Sequence, residues 1–364
     1  MKVSFQIGKI MGIPIKLHIT FLLILPVFAL IFANNPAPYG FSNVSEVSTR
    51  YILAFATTLL LFSSVLLHEI GHSYFAKKFG VKIDSITLML FGGVASMEEI
   101  PRNPAQEAKM AVAGPMTSFV IGAICLIFNN VLSDLQPSFS DTNIFHVIWL
   151  IGYINLIVGV FNLLPAFPMD GGRILRAWYA INMPYVKATQ KAAQIGKMFA
   201  IMMAVLGVLL ANPLLILIAF FIYIGATEEA RTTTVSVVLE KVPVRKIMSS
   251  NIISVQSSMT VDDLSKLMFE KKHMGYPVID DNSLKGIVTF TDVLTVPTQE
   301  RANVLVSDVM TKDVFTISAD ADSSEALKII STQNIGRILV TDNNSIVGIL
   351  SRTDLVRALQ LLSE

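Results

Sequence analysis

Long apolar runs follow one another through the first 230 residues of the chain. Their lengths are close to the roughly 20 residues that an α-helix needs to cross a bilayer. Asn212 and Pro213 mark a tight turn between the last two runs. The pattern therefore predicts a polytopic α-helical membrane domain of about six transmembrane helices. The predicted spans are residues 17–34, 51–76, 109–130, 143–163, 194–211 and 213–227.

The segment 83–97 departs from this pattern and has the period of a β-strand. Apolar side chains recur at every second position from Ile86 to Leu90, and Phe91-Gly92-Gly93 supplies a turn signal. Backbone at membrane depth must be buried in protein or paired with another strand. We therefore expect a membrane-associated β-hairpin here.

The last third of the chain contains an internal repeat of strands and helices. Gly286-Ile287-Val288 matches Gly348-Ile349-Leu350, and Asp292 matches Asp354 at the same offset. One copy buries too little surface to be stable alone, so we expect the two copies to pack as a pair. The predicted domains are a membrane domain at 1–230, a linker at 231–242, and two α/β repeats at 243–300 and 301–364.

Charge divides the chain in the same place. Of its 364 residues 53% are apolar and only 15% are charged. Residues 1–230 carry 14 basic and 11 acidic side chains, whereas 231–364 carry 14 and 16. This distribution indicates a membrane part and a soluble part. The formal net charge of +1 lacks the basic excess of a nucleic-acid-binding protein, so we expect no nucleic-acid partner.

Loop charges predict the orientation in the membrane. With the N-terminus inside, Arg50 is the only basic residue of the outer loops, which is a positive-inside pattern. Six spans then return the C-terminus to the cytoplasm, so the N-terminus and the repeats are expected to be cytoplasmic. The basic residues of the inner loops are Lys77, Lys78, Lys82, Arg102, Lys109, Arg173, Arg176, Lys187, Lys191 and Lys197.

The second apolar run contains the sequence His68-Glu69-Ile70-Gly71-His72. On a helix both imidazoles share one face and can bind one Zn²⁺, while Glu69 is placed to act as a general base on a water. The alternative interpretation is that these residues are simply three polar side chains at the end of a helix. Ionisable groups inside an apolar span are expensive and usually functional, which favours the metal site. The single cysteine, Cys125, excludes a multi-cysteine zinc site.

A catalytic zinc needs a third protein ligand, and Asp170 is the best candidate. It is the only carboxylate between Asp141 and Glu228. Prolines and glycines break the helix between Asn162 and Gly172, and irregular backbone at membrane depth is tolerated where it lines a cavity. The alternative is a helix-ending turn with a solvated aspartate.

These motifs, together with Phe91-Gly92-Gly93 and Ala113-Gly114-Pro115, resemble the site-2 protease family of intramembrane zinc metalloproteases. The tandem repeat resembles a cystathionine-β-synthase-type (CBS) domain pair. The resemblance implies one Zn²⁺ per chain held by His68, His72 and Asp170, with Glu69 as the catalytic glutamate. It also implies that Asn162 stabilises the oxyanion and that the Phe91-Gly92-Gly93 hairpin belongs to a sheet whose edge pairs with substrate.

For the repeats, the resemblance implies an adenosine nucleotide (AMP, ADP or ATP) as a regulatory ligand and a homodimer formed through the pair. The alternative is a structural pair without a ligand. Asp292 and Asp354 would bind ribose hydroxyls. Phosphate would be bound by the hydroxyls of Thr289, Thr291, Ser351 and Thr353. The base pockets would be flanked by Tyr276 and Arg337.

The predicted function is an intramembrane zinc endopeptidase of the cell membrane that hydrolyses a peptide bond within or near a transmembrane segment. Its expected partners are a transmembrane protein substrate and membrane lipid. A transporter or channel with a regulatory CBS pair is less favoured, because 1–230 shows no repeat between its halves and Glu69 would have no role. An inactive scaffold is weak, since every residue that the chemistry needs is present. Asn155 either hydrogen-bonds within the bundle or lines the site, and His18 is expected to have a packing or interfacial role.

Overall fold

The computed structural model describes residues 4–89, 92–97, 102–135, 143–240, 242–281, 283–343 and 345–362, with backbone alone for 92–97. The chain forms two compact units, Met1–Arg231 and Thr232–Glu364.

The first unit is built from apolar helices, as the hydrophobic pattern predicted. Among the described residues, five helices are long and apolar enough to cross a membrane, namely Val47–Lys78, Pro104–Leu135, Asn143–Asn162, Tyr185–Leu209 and Pro213–Glu240. The remaining predicted span, 17–34, corresponds to Ile19–Asn34, an apolar helix of 16 residues. The helices are α1 (Ile19–Asn34), α2 (Val47–Lys78), α3 (Pro104–Leu135), α4 (Asn143–Asn162), α5 (Asp170–Ala180), α6 (Tyr185–Leu209) and α7 (Pro213–Glu240).

Helix α3 lies at the centre of this unit and packs along α2, α4 and α5. Its contact with α2 depends on Gly71. A Cβ at Gly71 would overlap Oγ1 of Thr117 and lie 2.9 Å from the carbonyl oxygen of Ala113. The glycine therefore lets the two backbones approach closely, as small residues do at membrane helix interfaces.

A four-stranded sheet accompanies the helices, with strands β1 (Ser4–Ile10), β2 (Ile13–His18), β3 (Ile83–Met89) and β4 (Gly92–Met97) in that spatial order. The hairpin predicted at 83–97 is present as β3 and β4, which pair antiparallel from Ile83↔Met97 to Met89↔Gly92. Phe91, part of the predicted turn, lies outside the described residues.

The amino-terminal hairpin β1–β2 was not predicted. Strand β2 pairs parallel with β3, and Ile13, Ile15 and Ile86 form a buried cluster between them. The alternation of Ile13, Ile15 and Leu17 is a strand signal, but it runs directly into the apolar helix α1. Strand β2 reaches His18, which is why the first helix starts later and is shorter than expected.

The second unit contains two small sheets, β5–β6 and β7–β8–β9, with helices around them. The strands are β5 (Gly275–Asp280), β6 (Ser283–Thr289), β7 (Thr316–Ser318), β8 (Arg337–Asp342) and β9 (Ser345–Ser351). The helices are α8 (Val261–Lys271), α9 (Phe290–Leu294), α10 (Val306–Val309), α11 (Ser323–Thr332) and α12 (Arg352–Leu362).

The two repeats exchange their leading segments. Met248 of the first repeat packs against Gly348 of the second, where a Cβ would overlap its Sδ. Met310 of the second repeat packs in the same way against Gly286 of the first. Each hydrophobic core therefore combines residues from both copies, so neither repeat is a self-contained folding unit.

The stretch 231–242, expected to be a linker, is helical as far as Glu240 because α7 continues through it. Leu239 is fully buried and joins Val244 in the core that also contains Ile330, Ile338 and Leu350. Leu239, near the end of α7, is thus part of the second unit's core.

Candidate metal centre

One helix and the start of another bring together three side chains that could bind a metal ion. His68 and His72 lie one turn apart on the same face of α2, and Asp170 is the first residue of α5. All three are buried, with exposed fractions of 5%, 8% and 8%. Among the described residues, this is the group of histidine and acidic side chains that could hold a metal ion.

The three ligand atoms form a small triangle. Nε2 of His68 lies 3.3 Å from Oδ2 of Asp170, and Nε2 of His72 lies 3.1 Å from the same oxygen. The two Nε2 atoms are 3.1 Å apart. A tetrahedral Zn²⁺ with bonds of about 2.0–2.1 Å separates its ligands by roughly 3.3 Å. The donor set and its spacing therefore fit a three-ligand zinc site with one open position.

The opposite nitrogen of each imidazole has a partner on α3. Nδ1 of His72 donates to the carbonyl oxygen of Met110 at 2.7 Å. Nδ1 of His68 lies 2.9 Å from Oγ of Ser118. Partners of this kind fix the ring orientation and leave Nε2 free for a metal. Both were missed at the sequence level, because neither residue belongs to a recognisable motif.

Gly114 explains why α3 can approach the histidines. A Cβ at this position would overlap Nε2 of His72 and meet Nε2 of His68 at 2.5 Å. The glycine of the Ala113-Gly114-Pro115 motif therefore leaves the space that the ligand nitrogens occupy. Any side chain here would collide with the two histidine nitrogens.

The glycines after Asp170 have a similar role. A Cβ at Gly171 would overlap the carbonyl oxygens of Leu163 and Leu164, and a Cβ at Gly172 would lie 2.6 Å from the backbone nitrogen of Phe167. The first turn of α5 is thus packed directly on the end of the preceding segment. This contact fixes the position of Asp170 at the start of α5, beside α2.

The structure places Glu69 on α2 directly after His68, half-buried. Asn162 ends α4, and its Nδ2 donates to the carbonyl oxygen of Val158 at 2.9 Å. Asn155 is 1% exposed and donates to Ile151 at 2.8 Å, so its amide bonds within its own helix. His18 caps α1, where Nδ1 accepts from the backbone N–H of Thr20 at 3.3 Å.

The nucleotide-site candidates of the second unit form two equivalent helix caps. Oδ2 of Asp292 accepts from the N–H and the hydroxyl of Thr289 at 2.8 and 2.7 Å. Oδ2 of Asp354 accepts from the same groups of Ser351 at 2.9 and 2.7 Å. The second oxygen of each carboxylate has no partner in these caps. Thr291 and Thr353 are exposed beside them.

The other two candidates are those expected to flank the base pockets. The Tyr276 side chain is fully buried in the core of the first repeat, where its ring packs among apolar residues. Arg337 is half-buried and lies against Gly275, where a Cβ would overlap Nη1. Burial lowers the pKa of Arg337, and the nearby Asp354 carboxylate opposes this change.

Sequence profiles of two known families match the chain. The profile of peptidase family M50 matches residues 56–136 and 130–206, and the CBS domain profile matches 244–298 and 306–361. A zinc metalloprotease of Methanocaldococcus jannaschii is 38% identical over 365 residues, which cover 100% of this chain and 98% of that protein.

Two solved structures are also similar. A site-2 protease from Methanocaldococcus jannaschii is 44% identical, with a TM-score of 0.45 over 62% of this chain and 95% of that one. The protein CBSX2 in complex with AMP is 29% identical, with a TM-score of 0.31 over 34% of this chain and 98% of that one.

Proposed function

Because the chain belongs to peptidase family M50, the zinc metalloproteases of the site-2 protease type, and carries a CBS pair, we propose that His68, His72 and Asp170 hold its catalytic zinc. The protein is an intramembrane zinc endopeptidase that acts on a membrane protein substrate. The observation that carries the ligand assignment is the triangle of Nε2, Nε2 and Oδ2 atoms at 3.1–3.3 Å.

The residues around this triangle divide the chemistry between them. Zinc bound there would act as a Lewis acid that polarises the substrate carbonyl. It would also lower the pKa of a bound water to about 7. A carboxylate oxygen of Glu69 takes a proton from the attacking water and passes it to the leaving amide nitrogen. The Nδ1 contacts with Met110 and Ser118 orient both imidazoles, and the Met110 carbonyl, which can only accept, leaves Nε2 of His72 unprotonated for the metal.

We assign Asn162 to the developing oxyanion. Its Nδ2 donates a hydrogen bond to the carbonyl oxygen of Val158, so this hydrogen bond must break before Nδ2 can donate to the substrate. The amide stands at the last residue of α4, where the helix gives way to the segment before Asp170. A hydrogen-bond donor aimed at an oxyanion is worth about 3–4 kcal/mol in the transition state.

The substrate must be extended before it can be cut, since every carbonyl of a helix is bonded within the helix. Strand β4 is an edge of the described sheet and lies against α2. An extended substrate segment pairing with this edge would satisfy its backbone groups in a setting without water. Gly92 and Gly93 begin this strand and belong to the proposed substrate-pairing edge.

We place the amino terminus and the CBS pair in the cytoplasm, on the support of the basic loops. We further propose that the pair binds an adenosine nucleotide, with Asp292 and Asp354 at ribose, Thr289, Thr291, Ser351 and Thr353 at phosphate, and Tyr276 and Arg337 flanking the base pockets. Only Oδ2 of each aspartate is bonded in the described helix caps, so the second oxygen is open to a ribose hydroxyl, which supports this assignment. A homodimer through the pair would cover exposed apolar groups such as Phe269 and Leu361.

The decisive experiment combines metal analysis with cleavage of a single-span membrane reporter. The purified full chain is expected to contain one zinc and to cut the reporter. Glu69→Gln should keep the zinc and lose cleavage, whereas Asp170→Ala should lose the zinc. Glu300→Gln, an exposed carboxylate of the second unit, is the control. Full zinc occupancy in Asp170→Ala would overturn the ligand assignment.

A further inference from the structure

A buried arginine lies behind the segment that carries Asp170. Arg176 was counted with the basic loop residues, yet it is 1% exposed and is among the largest fully buried side chains of the described residues. It lies on α5, the helix that Asp170 begins. An arginine is almost never fully buried unless it is paired, so its partners indicate what it does.

Two carboxylates from different helices neutralise Arg176. Its Nε donates to Oε1 of Glu107 on α3 at 2.6 Å, and Nη2 lies 2.6 Å from the same oxygen. Its Nη1 donates to Oε1 of Glu229 on α7, also at 2.6 Å. The side chain of Glu107 is 1% exposed and that of Glu229 is 26% exposed. The planar guanidinium therefore holds α3 and α7 to α5 in one fixed geometry.

Aromatic rings complete the surroundings of this guanidinium. Its carbon Cζ lies 5.1 Å from the ring centre of Phe167 and 5.0 Å from that of Tyr185. The Tyr185 hydroxyl donates to Oε1 of Glu107 at 3.4 Å. Phe167 is fully buried and belongs to the segment that leads into Asp170. Arg176 thus lies on the helix that Asp170 begins and contacts the segment that precedes Asp170.

The pair with Glu107 also reaches the histidine side of the metal centre. Glu107 lies on α3 one helical turn before Met110, whose carbonyl accepts from Nδ1 of His72. Helix α3 therefore orients His72 through Met110 and binds the Asp170 helix through Glu107. This link therefore connects the His72 side of the site to the helix that carries Asp170.

We propose that Arg176 is a positioning residue that sets Asp170 at bonding distance from the metal held by His68 and His72. The proposal rests on the ligand assignment made above. Buried ion pairs add little net stability over well-packed apolar side chains, so a role in geometry accounts better for this one. The planar fork of arginine, which lysine lacks, supplies that geometry through Glu107 and Phe167.

The test measures zinc affinity of the full chain in detergent by competition with a chelator, together with thermal unfolding of the metal-free protein. Arg176→Lys keeps the charge and removes the fork, and we expect its zinc dissociation constant to rise roughly 10- to 100-fold. The metal-free protein should unfold near the wild-type temperature. A folded Arg176→Lys with wild-type zinc affinity would overturn the proposal.

A double variant separates geometry from charge. Arg176→Gln with Glu107→Gln removes both members of the most buried pair, and its zinc affinity should stay low if the fork is what matters. Recovery to the wild-type value would reject positioning. Tyr185→Phe is the matched control, because it removes only the 3.4 Å bond and keeps the ring, so its affinity should stay within about twofold.

The proposed function fails separately. If Asp170→Ala binds zinc as tightly as the wild type, the ligand assignment is wrong and no positioning of Asp170 is needed. If Asp170→Ala loses zinc while both Arg176 variants keep it, only the positioning role is rejected. If neither Arg176 variant folds, the arginine serves the whole fold and the positioning role is likewise rejected.

Discussion

Nε2 of His68 lies 3.3 Å from Oδ2 of Asp170, although 102 positions separate the two residues along the chain. This contact joins a continuous membrane helix to the start of a short helix that follows an irregular segment. An aspartate this close to an imidazole nitrogen inside a buried site either forms an ion pair with the imidazole or shares a metal ion with it. Nε2 of the second imidazole, that of His72, lies 3.1 Å from the same oxygen. This arrangement favours the shared metal, because the spacing is close to that between two ligand atoms of one tetrahedral zinc.

Ser118→Ala should weaken zinc binding without unfolding the protein. The change removes the Oγ atom that lies 2.9 Å from Nδ1 of His68, so the ring loses a contact that fixes its orientation. We expect the zinc dissociation constant to rise roughly 10-fold or more, measured by chelator competition. Ser64→Ala is the control, since Ser64 is also buried on the same bundle but donates to Leu61 in its own helix. Equal zinc affinity in both variants would show that Ser118 does not orient the ring.

Gly114→Ala should abolish zinc binding. The added methyl group would overlap Nε2 of His72 and meet Nε2 of His68, so both ligand nitrogens would be blocked. Metal content of the purified variant measures this directly. Gly122→Ala on the same helix is the control, because its methyl group would meet the Leu156 side chain at 2.7 Å and cost about 1–3 kcal/mol of stability only. Stoichiometric zinc in Gly114→Ala would contradict the geometry of the site.

The sequence predicts those parts of the candidate site whose residues lie close together along the chain, or are the only ones of their kind in a long segment. His68 and His72 are separated by one helical turn, so their spacing alone places them on one face. Asp170 was conspicuous because no other carboxylate occurs between Asp141 and Glu228. The β3–β4 hairpin was found because its alternation and turn are contiguous along the chain.

The parts that were missed depend on contacts between distant segments. Ser118 and Arg176 look like an ordinary bundle residue and a loop charge until α3 and α5 pack beside α2. The parallel pairing of β2 with β3 joins residues near 15 to residues near 86, and no local pattern encodes such a register. The packing of Met248 on Gly348 and of Met310 on Gly286 likewise joins one repeat to the other, and matching positions in a repeat do not show that its copies exchange segments.

Asn162→Ala should lower kcat while leaving zinc occupancy unchanged. Loss of an oxyanion donor typically costs about 10²–10³ in kcat, and the reporter cleavage rate at saturating substrate measures it. Asn155→Ala is a close control, since its amide also donates to a carbonyl one turn back in α4. If both variants cleave at the wild-type rate, Asn162 serves only to end its helix and the oxyanion assignment is wrong.

Asp292→Asn and Asp354→Asn should each weaken nucleotide binding more than they weaken the fold. Each change alters a carboxylate that caps a helix and keeps one oxygen for ribose, so an AMP-induced rise in unfolding temperature should shrink or vanish. Asp308→Asn is the matched control, because Asp308 caps α10 in the same way by accepting from the N–H of Leu305 at 3.1 Å. It should show the capping cost alone, about 1 kcal/mol, with the AMP effect intact. If AMP, ADP and ATP all leave the wild-type unfolding temperature and cleavage rate unchanged, the pair is structural, and its exchanged segments and shared cores are then its whole contribution.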